Sequence, residues 1–174
     1  QPENAAPLEM SSRALVNVAG PWAKQFLNEN INLDTPFGLK LVKGSHIIVP
    51  ALFQGHHAYM LQQPDGRIVF AISYDYNSTL VGTTDEPVDT PEEAQITDAE
   101  KVYLCAAVNR YFKRQTDPTD VIGTFSGVRP LYDDGASEAK AVTRDYVLEL
   151  DDNGPPLLSV FGGKITTYRK LSEN

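Results

Sequence analysis

Residues 39–49, LKLVKGSHIIV, are the longest β-type run in the chain. Pro50 closes it, because proline cannot donate to a strand ladder. Alternation puts His46 on one face with Val42 and Ile48. Working outward, short strands are expected at Ala58 to Leu61, Arg67 to Ile72 and Ser78 to Val81, with Pro64-Asp65-Gly66 as a hairpin turn. Before the run, Arg13 to Val18 reads as a strand, and Pro21 sits where a helix accepts proline, with WAKQFLNEN behind it. After it, Thr97-Asp98-Ala99-Glu100 has capping-box spacing. Ala99, Val102, Tyr103, Ala106, Ala107 and Tyr111 then recur at helical spacing, which predicts a helix over 98–113. Val121 to Val128, Val142 to Leu150 and Leu157 to Phe161 are three further strands, and Gly162-Gly163 opens a last helical segment, KITTYRKLSEN. Many strands around one long helix, without regular βαβ alternation, make an α+β fold.

The chain has 174 residues, 41% of them hydrophobic and 22% charged, which is ordinary for a globular domain with a sizeable core. No run approaches the roughly 18 apolar residues of a membrane span. A single cysteine excludes a disulfide framework and any multi-cysteine metal site. Cys105 lies inside the predicted helix with no local His, Asp or Asn to activate it, and reads as a small packing residue. Fifteen basic against 23 acidic residues give a net charge of −8, which argues against nucleic acid as a partner. It also suits an anionic substrate poorly unless positive charge is concentrated locally. Residues 85–98 are acidic and proline-broken, and read as a solvated loop rather than an acidic site. Both ends look cut: Gln1 is no start residue, no signal segment follows it, and Asn174 follows no helix terminator.

Three features carry candidate chemistry. Arg144 shares its strand face with Val142, Tyr146, Leu148 and Leu150, and Arg129 shares its face with Val121, Gly123, Phe125 and Leu131. An arginine on an apolar face either snorkels at a strand end or meets a buried anion. His46 is either a satisfied core histidine or a catalytic one, and His56-His57 lack the spacing of a metal site. Phe161-Gly162-Gly163-Lys164-Ile165-Thr166-Thr167 is the sharpest motif. A glycine pair between strand and helix lets backbone amides approach a ligand. It is not a nucleotide P-loop, since Leu158 stands where the first glycine belongs and Ile165 where Ser or Thr belongs.

Taken in order, LVNVAGPWAKQF, LVKGSHIIVP, LVGTTD, SGVRPL, TRDY and LLSVFGGKITTYRKL resemble the FAD-dependent, quinone-linked glycerol-3-phosphate dehydrogenases, the bacterial aerobic form above all. The resemblance spans residues 13–172. It implies an amino-acid-oxidase-like fold in which an FAD-binding domain is interrupted by a substrate-binding domain. Residues 1–35 and 156–174 then correspond to returning pieces of the FAD-binding domain. Residues 36–155 correspond to the substrate-binding domain, with a mixed, mainly antiparallel sheet and one long helix. The chain is expected to be an internal fragment, inactive alone and without bound FAD. Its returning segments, 13–30 and 157–172, should pair with each other, dock on a second copy or be mobile.

The same resemblance assigns roles residue by residue. Arg129 and Arg144 look like the pair that holds the substrate phosphate, where the arginine fork gives charge-assisted bonds. His46 resembles the active-site base, and Lys164 lies beside substrate and flavin, where its charge stabilises the reduced flavin. Thr83 or Thr84 adds a substrate hydrogen bond, and Gly20, Trp22, Gly163, Lys164, Ile165 and Thr166 lie along the FAD. The implied reaction converts sn-glycerol 3-phosphate to dihydroxyacetone phosphate with electrons passed to quinone. The parent is implied to be peripheral to the cytoplasmic side of the inner membrane, as a dimer, and no metal is implied. Two alternatives stay open: a glycerol-3-phosphate oxidase with oxygen as acceptor, and a non-catalytic anion-binding module.

Overall fold

A computed structural model describes residues 8–35, 38–75, 77–133 and 145–174. Two sheets organise them. The larger is six-stranded and centres on β2 (Leu39–Pro50), the long run of the sequence. β3 (Ala58–Gln62), β4 (Ile68–Tyr74) and β5 (Ser78–Gly82) form an antiparallel meander that reaches β2 through β5. The short β6 (Glu86–Pro87) pairs with Val42 and Lys43 of β2. β7 (Gly123–Tyr132) runs antiparallel along β2 from Leu39↔Tyr132 to Ile48↔Gly123, so β5 and β6 share the opposite edge.

The smaller sheet places β9 (Leu157–Gly162) between β1 (Leu15–Asn17) and β8 (Tyr146–Asp151). β1 lies parallel to β9, so the two returning segments do pair with each other. β8 is antiparallel to β9, and the boundary expected at 155/156 falls inside that hairpin. A 3-10 turn at Gly20–Trp22 leads into α1 (Ala23–Phe26), which ends in a π turn over Leu27–Ile31. Ala23 and Leu27 pack with Leu157 and Phe161 in a small core that Leu39 and Tyr132 of the larger sheet also touch. That shared contact joins the two sheets.

The main core lies on one side of the larger sheet only. Ile47, Val49, Leu61, Val69, Ala71 and Val81 face α2 (Asp98–Asn109), which contributes Leu104, Cys105, Ala107 and Val108. The capping box is present as expected: Thr97 Oγ1 accepts from the Glu100 amide at 3.2 Å, and Glu100 accepts from the Thr97 amide at 2.8 Å. The helix is shorter than 98–113, and its inward face differs from the expected one. Val102 and Tyr111, assigned to the core stripe, are 56% and 51% exposed, whereas Glu100 is 4% exposed. The helix is rotated because Glu100 turns inward to an ion pair with Lys43 at 3.0 Å. A reading that counts glutamate as solvent-facing puts the stripe on the wrong side.

The other side is open over the β3–β5 meander and the adjoining part of β7, although Val42 and Leu131 on that side are buried. Met60, Ile68, Phe70, Ile72, Tyr74 and Phe125 are all exposed there. Pairing partners confirm a common face: Phe70 is opposite Met60 and Gly82, and Phe125 is opposite His46.

Candidate functional site

The period-2 pattern of β2 divides its residues between two environments. Lys43 and Ser45 point to the helix side, and Gly44 and His46 point to the open side. Across the ladder, Arg129 is opposite Val42 and Phe125 opposite His46, so both share that open face. Thr83 follows β5 and reaches the same place. Its Oγ1 accepts from Arg129 Nη2 at 2.9 Å, while Arg129 Nη1 donates to Asp85 Oδ1 at 2.8 Å. A cleft of about 300 Å³ opens here, lined by Arg67, Phe70, Thr83, Asp85 and Arg129 among others.

Two glycines make this packing possible. A Cβ on Gly44 would lie 2.4 Å from Arg129 Nη2 and 2.5 Å from Thr83 Oγ1. A Cβ on Gly82 would lie 2.1 Å from His46 Cδ2. The guanidinium and the imidazole therefore lie directly over bare backbone. Phe125 stacks on the imidazole, with centroids 4.6 Å apart and planes 10° from parallel. Burial, and then the Arg129 charge, hold the His46 pKa below its ordinary 6.5, which keeps the ring neutral at neutral pH. His46 Nδ1 is buried and has no hydrogen-bond partner among the described residues. His46 is thus a neutral, half-buried imidazole with one buried nitrogen unmatched among the described residues.

The two threonines of GTTD separate. Thr83 belongs to the open face. Thr84 is fully buried, donates to Glu100 Oε1 at 2.8 Å and accepts from the Ser45 amide at 2.9 Å, so its hydroxyl is committed to the helix side. Glu100 also accepts from Ser45 Oγ at 2.7 Å. Burial alone would raise its pKa, but bonds from Thr97, Ser45, Thr84 and Lys43 outweigh this and hold it at about 2.

Lys164 stands at a different place, just beyond β9, where it is exposed. Gly162 and Gly163 both have positive φ, 75° and 84°, and a Cβ on Gly162 would meet the Asp145 carbonyl at 2.7 Å. Ile165 and Tyr168 beside them are 89% and 67% exposed. Gly20 also has positive φ, and Trp22 is 45% exposed with its Nε1 donating to Glu92 at 2.9 Å. Arg144 lies outside the described residues.

The 85–98 segment is not simply a solvated loop. Asp85 holds Arg129, and Glu86 pairs with Arg67 at 3.2 Å. Asp85 escaped the sequence reading, although it stands two residues from Thr83, the spacing that puts both on one face of an extended segment. Cys105 is buried and its thiol is pushed up to about 11 by burial and by Asp117 and Asp120, so it is no nucleophile. Among the described residues no cluster could hold a metal ion. His57 instead packs against Phe53 and Tyr59.

The sequence model of the family described as "FAD dependent oxidoreductase" matches residues 4–169. The chain belongs to that family. The chain is 52% identical over 166 residues to a glycerol-3-phosphate dehydrogenase of Pseudomonas aeruginosa, covering 94% of this chain and 32% of the relative. It is 48% identical to the aerobic glycerol-3-phosphate dehydrogenase of Escherichia coli, covering 94% and 33%. It is 47% identical to a D-erythritol 1-phosphate dehydrogenase of Brucella abortus, covering 93% and 33%. The chain thus spans about a third of the length of the curated relatives it matches. The structure of a Bacillus halodurans glycerol-3-phosphate dehydrogenase complexed with FAD superposes with a TM-score of 0.73 at 32% identity, over 91% of this chain and 30% of that one. The α+β architecture is that of this fold. No helix among the described residues is long and apolar enough to cross a membrane.

Proposed function

We propose that this chain is the substrate-binding part of a flavoenzyme that oxidises sn-glycerol 3-phosphate to dihydroxyacetone phosphate and passes the electrons to quinone. The observation that carries the reading is the grouping of His46, Thr83 and Arg129 on one open sheet face, with Gly44 and Gly82 bare beneath them. Relatives named for this substrate, at 48–52% identity, support it.

Arg129 offers its fork to the phosphate, with Arg144 as the second cation of the pair. Thr83 contributes a hydroxyl beside Arg129. Oxidation removes a hydride from C2 and a proton from its hydroxyl, and His46, held neutral, takes the proton. Lys164 supplies positive charge where negative charge develops in the reaction.

The residues at the glycine turn fit FAD. Gly162 and Gly163 leave the backbone bare, and Ile165 and Tyr168 present uncovered apolar surface. That combination suits a flat ring with polar edges. Gly163, Lys164, Ile165 and Thr166 would hold it, with Gly20 and Trp22 along its dinucleotide. When bound, FAD supplies the acceptor for the hydride. The parent enzyme is assigned to the cytoplasmic face of the inner membrane as a peripheral protein, as a dimer, where quinone is within reach.

The test is Arg129→Ala in the FAD-loaded full-length protein. The Michaelis constant for glycerol 3-phosphate should rise at least ~10-fold, the scale of a lost charge-assisted bond. An unchanged constant would remove Arg129 from phosphate binding. A longer substrate is the second reading, because the Brucella relative is named for D-erythritol 1-phosphate. Both share the phosphate, so the ratio of kcat/KM for the two substrates decides between them. Quinone against oxygen uptake separates dehydrogenase from oxidase.

A further inference from the structure

We propose that Asp85 is a positioning residue for phosphate recognition, which together with Thr83 fixes the Arg129 guanidinium in its receiving orientation. The proposal rests on the reading of Arg129 given above and adds to it a residue from the acidic segment.

Arg129 is held at two separate nitrogens. Nη1 donates to Asp85 Oδ1 at 2.8 Å and Nη2 to Thr83 Oγ1 at 2.9 Å. A guanidinium has five N–H groups, so these two bonds set its orientation and leave three for a ligand. The space it occupies is prepared, since a Cβ on Gly44 would come within 2.7 Å of Arg129 Cζ. The acceptors are prepared too. Thr84, between Thr83 and Asp85, is fully buried and tied on the helix side to Glu100 and the Ser45 amide. The short segment that carries both acceptors is therefore anchored from behind.

Stability is a poor explanation for the Asp85–Arg129 pair. Its side chains are 34% and 29% exposed, for Arg129 and Asp85 respectively, and partly exposed pairs contribute little to folding. Charge is a poor one as well, because a carboxylate next to an anion site weakens attraction. What Asp85 adds is direction. A long, flexible side chain loses rotamer freedom on binding, and a fork already oriented loses less of it at that moment. Asp85, Thr83 and Arg129 also line the same cleft, so the bonded pair faces space where a ligand fits.

The experiment compares Asp85→Ala, Asp85→Asn, Arg129→Ala and the double Asp85→Ala/Arg129→Ala variant in the FAD-loaded full-length protein. Substrates are sn-glycerol 3-phosphate and phosphate-free glycerol, and inorganic phosphate binding is measured by titration calorimetry. Asp85→Ala should raise KM for glycerol 3-phosphate ~10- to 100-fold with a smaller change in kcat, weaken inorganic phosphate similarly, and affect glycerol turnover far less. Asp85→Asn retains an acceptor oxygen and should recover much of the loss. It also serves if the alanine variant does not fold. The double variant should be no worse than Arg129→Ala, because Asp85 acts only through that side chain. Equal losses on glycerol, or additive losses in the double variant, would overturn the assignment of Asp85. If Arg129→Ala itself leaves phosphate binding intact, the phosphate role of Arg129 falls and the Asp85 proposal falls with it.

Discussion

Gly82 is where one hydrogen atom decides whether His46 keeps its place. The imidazole lies over the Gly82 backbone so closely that a methyl group would overlap its Cδ2, and Phe125 closes the opposite side of the ring. The ring can yield only toward the open face. Gly82→Ala is therefore expected to lower kcat at least ~10-fold, approaching the loss in His46→Asn, while KM for phosphate-bearing substrate moves less. Steady-state kinetics on the full-length protein check this, and near-normal kcat in either variant would take His46 out of proton transfer. At this scale the sequence was partly legible. His46 and Arg129 were visible because strand alternation puts a polar side chain among apolar ones. Gly44 and Gly82 were not, because a glycine in a strand shows its purpose only once the neighbour across the ladder is known.

At the scale of elements, α2 is fastened to the sheet by charge as well as by packing. Glu100 serves at once as the third residue of the helix cap and as the buried partner of Lys43, both side chains being less than a tenth exposed. Removing one member of a buried pair leaves the other uncompensated, so Glu100→Gln should destabilise the fold by about 3–5 kcal/mol. The acid dependence has a definite sign. The carboxylate titrates at about 2 in the fold against an ordinary 4.5. Its contribution is complete above 4.5 and drains away as pH falls from there toward 2, since the unfolded chain takes up the proton first. Urea unfolding across that range should show the slope in the native protein and a shallower one in Glu100→Gln. The capping box itself could be read directly from Thr97 and Glu100. The inward turn of Glu100 could not, because its partner Lys43 lies 57 positions earlier and on a different element.

For the whole molecule, the decisive asymmetry is between the two faces of the larger sheet. One is sealed by α2, and the other displays Met60, Ile68, Phe70, Ile72 and Tyr74 around the candidate site. Substitutions should report that difference. Ile72→Thr, at a side chain already 39% exposed, is expected to cost less than ~1 kcal/mol, whereas Val81→Asp buries an unpaired carboxylate and should cost more than ~4 kcal/mol. Chemical denaturation of the isolated chain measures both. The α+β class and nearly every strand were legible because turn residues and alternation mark them locally. The assignment of β8 to the smaller sheet was not, since it depends on a hairpin partner rather than on the strand's own composition.

The ten-residue ladder between β2 and β7 has an evolutionary consequence. It phases the two halves of the site: His46 and Arg129 share a face only because both strands keep step from Leu39 to Ile48. Gain or loss of one residue within either strand would reverse the inside and outside of everything beyond it, sending an imidazole or a guanidinium into the helix-covered core. Length variation among descendants of this chain should accordingly collect in the connections, while these two strands change by substitution alone.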